Sequence, residues 1–359
     1  MTLNPGERKI KVLIVDDSSI VRKILSETIA EESDMEVVGT APDPYVARDK
    51  ILSLNPDVIT LDIEMPRMDG LTFLKKIMQF HPMPVIIISS LAQSSCSISL
   101  DALSHGAVDV LAKPGGPYSI GELRESLPAK LRAAARARIP KSTTSEPRQP
   151  IAVPRPVLSN SSPFHPETVI AIGASTGGTE AIHDVLVRLP ANIPGMVLTQ
   201  HIPKLFSTAF AARLNRACSF EVKEAADGDE LGPGRALLAP GDFHMVLRKV
   251  GRTYRVQLQD GPKVCYQRPA VDVMFASVAV AAKQNAVGVL LTGMGSDGAQ
   301  GLLGMKKAGA GTIAQNEATC VVYGMPREAV RMGAADQVLP LDAIAAAILN
   351  ESARRLSHV

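Results

Sequence analysis

The chain has 359 residues, more than one ordinary hydrophobic core accommodates, so two domains are expected. Its formal net charge of +2 gives no bulk attraction to nucleic acid or to an anionic membrane, which points to a specific small site instead. The four cysteines, Cys96, Cys218, Cys265 and Cys320, lie far apart without a CxxC or Cys/His pairing, which argues against a zinc ribbon or disulfide framework and fits a reducing cytoplasm. At the N-terminus, Glu7, Arg8 and Lys9 precede an apolar run of about five residues, too short for a signal peptide or spanning helix. No later apolar stretch approaches the roughly 18 residues that a span needs, so a soluble, cytoplasmic protein is expected.

In chain order, Val12 to Val15, Val37 to Thr40, Val58 to Leu61, Val85 to Ile88 and Val108 to Leu111 read as buried strands. Helical periodicity separates them, as in Ile20 to Ala30 and Gly70 to Met78. Residues 8–130 are therefore expected to form a flavodoxin-like (βα)5 domain with a doubly wound parallel sheet. Ligands of such a sheet gather at the carboxyl ends of its strands. Asp16 and Asp17 end the first strand there and Asp62 ends the third. Three converging carboxylates repel one another unless a cation is present, and a hard divalent ion such as Mg²⁺ suits oxygen ligands. The fourth strand delivers the Ser89 hydroxyl and the fifth is followed by Lys113-Pro114. A metal site on one side, with an ammonium and a hydroxyl opposite, is what a phosphoryl group on Asp62 needs. Any one of these aspartates taken alone could equally be a loop former or cap.

Between Pro140 and Pro166 the composition shifts to Ser, Thr and a series of prolines that block regular pairing, so residues 131–166 are predicted to be a semi-extended linker. The preceding Arg132, Arg136 and Arg138 read as the exposed face of the last helix of the first domain or as the linker entry, not as a DNA-recognition helix. Beyond the linker, Val169 to Gly173, Met196 to Thr199, Ala236 to Ala239, Val287 to Leu291 and Thr312 to Ala314 are strand candidates. Thr179 to Leu189, Asp272 to Lys283 and Leu341 to Ser352 are helical. A hairpin, Met245 to Val250 and Thr253 to Gln259 around Gly251-Arg252, interrupts the alternation. Residues 167–352 are thus predicted to be a doubly wound, mainly parallel α/β domain with a β-hairpin.

Three loops of this second domain carry chemistry. Ser175 lies in Gly173-Ala174-Ser175-Thr176-Gly177-Gly178, between a strand and a helix whose free N-terminal amides suit an oxyanion, and equally a phosphate. A dinucleotide site would place an acidic residue at the end of the next strand, about 20 positions on. That place holds Gln200-His201, and an imidazole there can accept the proton of Ser175. Asp297, after the strand Val287 to Leu291, is on the same rim and is the preferred group to orient His201. It could also simply cap the following helix, and Asp272 and Asp242 are rival carboxylates. A short-chain dehydrogenase is disfavoured because Tyr254, Tyr266 and Tyr323 lack a lysine four positions on.

Val15-Asp16-Asp17-Ser18, Leu61-Asp62-Ile63-Glu64-Met65-Pro66-Arg67-Met68-Asp69-Gly70, Ile88-Ser89-Ser90 and Ala112-Lys113-Pro114 resemble the receiver domain of two-component response regulators. That resemblance implies Mg²⁺ held by Asp16, Asp62 and the carbonyl of Glu64 with help from Asp17, and phosphorylation of Asp62 by a histidine kinase. Val110 stands where many receivers place an aromatic switch residue. In the second domain, Ile172 to Gly178, Gln200-His201-Ile202-Pro203, Leu238-Ala239-Pro240-Gly241, Arg268-Pro269-Ala270-Val271-Asp272 and Leu291 to Gly298 resemble the catalytic domain of CheB protein-glutamate methylesterases. Gln267 stands where that family more often has His. The resemblance puts Ser175, His201 and Asp297 on the nucleophile, base and orienting acid, with the amides of Thr176 and Met294 as oxyanion donors. It implies glutamate methyl esters of chemoreceptors as substrates, deamidation of receptor glutamines at the same site, and no cofactor in the catalytic domain. It further implies that the receiver covers the Ser175 rim until Asp62 is phosphorylated. A response regulator with a nucleotide- or DNA-binding output domain is the alternative.

Overall fold

Five short apolar runs of the first unit become the parallel strands β1 (Ile10–Val15), β2 (Met35–Ala41), β3 (Val58–Asp62), β4 (Val85–Ser89) and β5 (Asp109–Ala112). In this computed structural model, which describes residues 8–114, 117–139 and 164–354, the chain divides into the units Met1–Ser145 and Glu146–Val359. The strands alternate with α1 (Ser19–Ala30), α2 (Pro44–Leu54), α3 (Gly70–Phe80), α4 (Gln93–Ser104) and α5 (Pro117–Ala135). Helix starts obey local chemistry: Ser18, Asp43 and Asp69 each accept a first-turn amide of α1, α2 and α3. The sheet order β2-β1-β3-β4-β5 reverses direction at β1 and β3, the crevice where doubly wound sheets bind ligands.

Helix α5 runs on to Ala135, past the boundary expected at residue 130. Its last turn is fastened by Arg132, whose guanidinium donates to Asp34 Oδ2 at 2.7 Å and Oδ1 at 2.6 Å and pairs with Glu32. Arg132 is accordingly half-buried rather than part of an exposed basic face, whereas Arg136 and Arg138 are exposed. Much of the expected linker, residues 140–163, lies outside the described residues.

The second unit contains β6 (Val169–Ala174), α6 (Gly178–Leu186), β7 (Gly195–Gln200), α7 (Phe206–Ala217), β8 (Glu221–Glu224), β9 (Glu230–Leu231), β10 (Arg235–Leu238), β11 (His244–Val250) and β12 (Thr253–Gln259). They are followed by α8 (Val271–Ala281), β13 (Ala286–Leu290), α9 (Ala299–Lys307), β14 (Gly311–Gln315), α10 (Met325–Arg331), β15 (Gln337–Leu339) and α11 (Leu341–Arg354). Seven strands form a parallel sheet in the order β15-β14-β13-β6-β7-β10-β8. The predicted hairpin β11/β12 is present, but it pairs with β9 in a separate antiparallel sheet instead of interrupting the parallel one. The apolar pattern missed β8, β9 and β15; β8 and β15 are the edges of the seven-stranded sheet and β9 is an edge of the three-stranded one, where a half-exposed segment needs no apolar run.

Burial is concentrated where the strands are continuous: β6, β7, β13 and β14 are buried at every residue. Helix α8 inserts Val271, Met274, Phe275 and Val278 into the same core. Among the described residues no helix is long and apolar enough to cross a membrane.

Candidate active site and acidic cluster

Strand β6 lies between β7, its successor in the chain, and β13, which arrives much later, so the carboxyl ends of these three strands share one crevice. The loops continue the lateral pairing after the strands end: Ser175 N donates to Thr292 O at 3.0 Å, and His201 N donates to Ala174 O at 3.2 Å. That pairing fixes the side chains above the sheet. His201 Nδ1 lies 3.1 Å from Ser175 Oγ, and its Nε2 lies 2.7 Å from Asp297 Oδ2. Ser175, His201 and Asp297 are 8%, 7% and 2% exposed, so the hydrogen-bonded chain is largely shielded from water. With an anionic carboxylate at one nitrogen, the ring tautomer assigned by its partners carries hydrogen on Nε2 and leaves Nδ1 to accept the serine proton.

Asp297 does not cap the helix immediately after it. The N-cap of α9 is Gly298, in the left-handed region with φ +87°, without a side-chain bond. The carboxylate of Asp297 turns to the start of α8, where Oδ2 accepts from Val271 N at 2.7 Å and Oδ1 from Asp272 N at 2.9 Å. Asp272, a rival for the acid role, returns the exchange by accepting Gly301 N of α9 at 2.6 Å. Two helices are thus capped crosswise, and only one of the two carboxylates reaches the imidazole. Burial pushes the Asp297 carboxyl up, but hydrogen bonds from His201 and the two α8 amides outweigh it and hold its pKa below the ordinary value. The stability contributed by this anion is therefore present above the unfolded-state pKa and lost as pH falls through the lower folded-state value. Asp272 is half-buried; its desolvation, with the Asp297 charge in support, raises its pKa. Asp242, the other rival, has φ +69° and donates its amide to Arg268 O.

Residues that sequence patterns did not single out hold the framework. His244, buried, accepts Ala270 N at Nδ1 (3.2 Å) and meets Pro262 O at Nε2 (2.9 Å), anchoring the approach to α8. Thr292 Oγ1 donates to Thr176 O at 3.0 Å, and Thr292 N donates to Gln315 Oε1 at 2.8 Å. Ser175 O accepts Gly178 N at 2.7 Å and Gln200 Nε2 at 2.8 Å. The segment carrying Met294 is tied down at Gly293, whose carbonyl accepts the amides of Gly324 and Met325 at 3.0 and 2.8 Å. Gly293 touches the nucleophile itself, since a Cβ there would sit 2.7 Å from Ser175 Cβ and 2.2 Å from Met325 Sδ. Gly293→Ala is therefore expected to displace Ser175 and lower kcat about 10²-fold. It should also destabilise the domain by about 1–3 kcal/mol. Turnover against thermal unfolding would separate the two effects, and an unchanged kcat would show that the close approach is irrelevant.

In the first unit, Asp16, Asp17 and Asp62 each present a carboxylate oxygen within 4.8 Å of the others. Asp16 and Asp62 are buried and Asp17 is exposed. Lys113 Nζ lies 2.7 Å from Asp62 Oδ2 and 3.1 Å from Asp16 Oδ2. Backbone amides fix the remaining oxygens, Glu64 N to Asp62 Oδ1 at 3.0 Å and Ser18 N to Asp16 Oδ1 at 2.8 Å. Burial, with the Asp16 charge in support and Lys113 opposing, raises the pKa of Asp62 to about 6. A set of hard oxygen donors carrying excess negative charge fits a divalent ion such as Mg²⁺. The carboxylate of Glu64 is directed elsewhere, accepting Ser90 Oγ at 3.2 Å and also Ser95 Oγ. Ser89 is buried, its carbonyl accepts Lys113 N at 2.7 Å, and its hydroxyl lies 3.5 Å from Ser90 O. Val110 is buried within β5.

Comparison with known proteins returns matches along both units. A family model described as CheB methylesterase matches residues 170–348, and one described as response regulator receiver domain matches residues 12–125. Protein-glutamate methylesterase/protein-glutamine glutaminase 2 of Syntrophus aciditrophicus is 57% identical over 340 residues, covering 94% of this chain and 97% of that protein. The protein-glutamate methylesterase/protein-glutamine glutaminase of Salmonella typhimurium is 52% identical over 348 residues, covering 95% of this chain and 96% of that one. Among solved structures, the CheB methylesterase catalytic domain of Thermotoga maritima matches with a TM-score of 0.50 and 38% identity, covering 51% of this chain and 97% of that chain.

Proposed function

The chain belongs to the CheB methylesterase family, with a receiver domain preceding the catalytic one, and we propose that it hydrolyses glutamate methyl esters of chemoreceptors by means of Ser175. The observation that carries this reading is the buried chain of hydrogen bonds from Ser175 Oγ through His201 to Asp297. In the first step His201 Nδ1 takes the hydroxyl proton while Oγ attacks the ester carbonyl. The Thr176 and Met294 amides are the oxyanion donors. The imidazolium, stabilised by the Asp297 carboxylate, returns the proton to the departing methoxide, and methanol leaves. Water, deprotonated by the same nitrogen, then attacks the acyl-enzyme, releasing glutamate and restoring Ser175. A receptor glutamine presents the same carbonyl with ammonia as leaving group, so deamidation uses the same groups.

Asp62 is the phosphoryl acceptor for a chemotaxis histidine kinase, with Lys113 and Ser89 contacting the phosphoryl group. Mg²⁺, held by Asp16, Asp17, Asp62 and the Glu64 carbonyl, supplies charge neutralisation when bound. The protein works in the cytoplasm on the receptors' cytoplasmic portions. A nucleotide-binding output domain is not favoured, because the end of β7 carries His201 bonded to Ser175 where a ribose site needs a carboxylate, and a DNA-binding one is not favoured because residues 170–348 match the CheB methylesterase family.

The test is methanol release from methylated receptor with and without a small-molecule phosphodonor. Stimulation by the phosphodonor is expected to vanish in Asp62→Asn; stimulation that persists in that variant would remove Asp62 from the switch.

A further inference from the structure

We propose that Gln200 is a positioning residue of this active site: its side-chain amide sets the direction of the Ser175–Thr176 peptide. The inference rests on the assignment of Ser175 as nucleophile. Gln200 is buried at the end of β7, and its Nε2 donates to Ser175 O at 2.8 Å and, more weakly, to His201 O at 3.3 Å. It thereby contacts the backbone of both residues that exchange the proton. In a trans peptide the carbonyl and the following N–H point in opposite directions. Clamping Ser175 O between Gln200 Nε2 and Gly178 N therefore aims the Thr176 amide the other way. It also fixes the backbone from which Ser175 Oγ projects.

Two observations mark Gln200 as more than filler. Its Oε1 is buried and has no hydrogen-bond partner among the described residues, an arrangement that costs stability. The unsatisfied oxygen is seated where Gly178 lacks a side chain, since a Cβ there would lie 2.2 Å from Oε1. Rotating the amide to satisfy that oxygen is blocked, because it would set one carbonyl oxygen against another at Ser175. The helix start thus yields space to an amide whose donor end holds the nucleophile loop while its acceptor end goes without a bond. An apolar residue of similar size would avoid the unpaired acceptor but would leave Ser175 O with one donor fewer.

The experiment compares Gln200→Leu, Gln200→Glu and Ser175→Ala in the full chain, with methylated receptor as substrate and thermal unfolding measured in parallel. Gln200→Leu removes the donor at nearly constant volume and is expected to lower kcat about 10²-fold with KM within about twofold, because binding is left intact while alignment is lost. Gln200→Glu donates to Ser175 O only while protonated. Its kcat should therefore fall as pH rises through an ionisation that the wild-type profile lacks. A folded Gln200→Leu with wild-type kcat, or a Gln200→Glu pH profile superimposable on wild type, would overturn the proposal. Should the Leu variant fail to fold, the Glu profile still decides. If Ser175→Ala is inactive while both Gln200 variants behave as wild type, only the Gln200 inference fails; if Ser175→Ala stays active, the nucleophile assignment fails.

Discussion

Ser175→Ala should abolish methanol release, with kcat falling by about 10⁶-fold, the scale recorded when the nucleophile of a serine protease is removed. The geometry accounts for the size of the effect. His201 Nδ1 has Ser175 Oγ at 3.1 Å, so removing that one oxygen leaves the base without a nucleophile to activate. What remains is oxyanion stabilisation and binding, which act on an unassisted water. The substitution itself is mild, since Ser175 sits between backbone bonds that alanine keeps: its amide still reaches Thr292 O and its carbonyl still accepts Gly178 N and Gln200 Nε2. Thermal stability is therefore expected to be close to wild type, and phosphorylation of Asp62 in the separate first unit should proceed. Methanol release measured beside labelling from a phosphodonor checks both halves at once. A variant that still turns over would dismiss the triad.

Asp297→Asn should be nearly as damaging, with kcat lower by about 10⁴-fold, the loss known for the equivalent change in a serine protease. Here the cause lies in the tautomer. The carboxylate accepts from His201 Nε2, Val271 N and Asp272 N at once, and an asparagine oxygen cannot serve all three. If the amide oxygen takes the place of Oδ1 and keeps Asp272 N, its NH₂ faces both Val271 N and the imidazole, and the ring must accept at Nε2 and carry its hydrogen on Nδ1. A protonated Nδ1 cannot take the proton of Ser175. The bond from Val271 N at the start of α8 is lost as well, a cost of about 1 kcal/mol in stability. Rate and unfolding measured together make the distinction: a variant that loses about 1 kcal/mol but keeps its turnover would reduce Asp297 to a capping residue.

The crosswise capping of α8 and α9 shows where sequence reasoning stops. Asp297 stands directly before a helix, so local chemistry favours it as that helix's cap, and the rivals Asp272 and Asp242 cannot be dismissed from spacing. The structure separates them because Asp297 reaches α8, which the chain enters 26 residues earlier, and because Asp272 is occupied with α9. Similarly, the arginine cluster at the end of α5 looks like one solvated face until Arg132 meets Asp34, 98 positions away in sequence. In the sequence, Gln200 was visible as part of the Gln200-His201-Ile202-Pro203 motif and as a residue that was not an acid, with no role of its own. Its bond to Ser175 O depends on the register of β6 against β7.

By itself the sequence determined the features that local periodicity and strand ends dictate. Short, fully apolar runs alternating with helices specify two parallel sheets, and carboxylates, Ser175 and His201 at the strand ends must share the carboxyl rims of those sheets. Tertiary structure decided the features that depend on distance between segments remote in the chain. It chose the carboxylate that reaches His201 and the ring nitrogen that faces the serine. It also brought in Gln200, Thr292 and His244 to hold the loops. The physical reason is that hydrophobic patterning reports burial along a single element, whereas a hydrogen bond of 2.7 Å is set by how whole elements pack, and no periodicity encodes that.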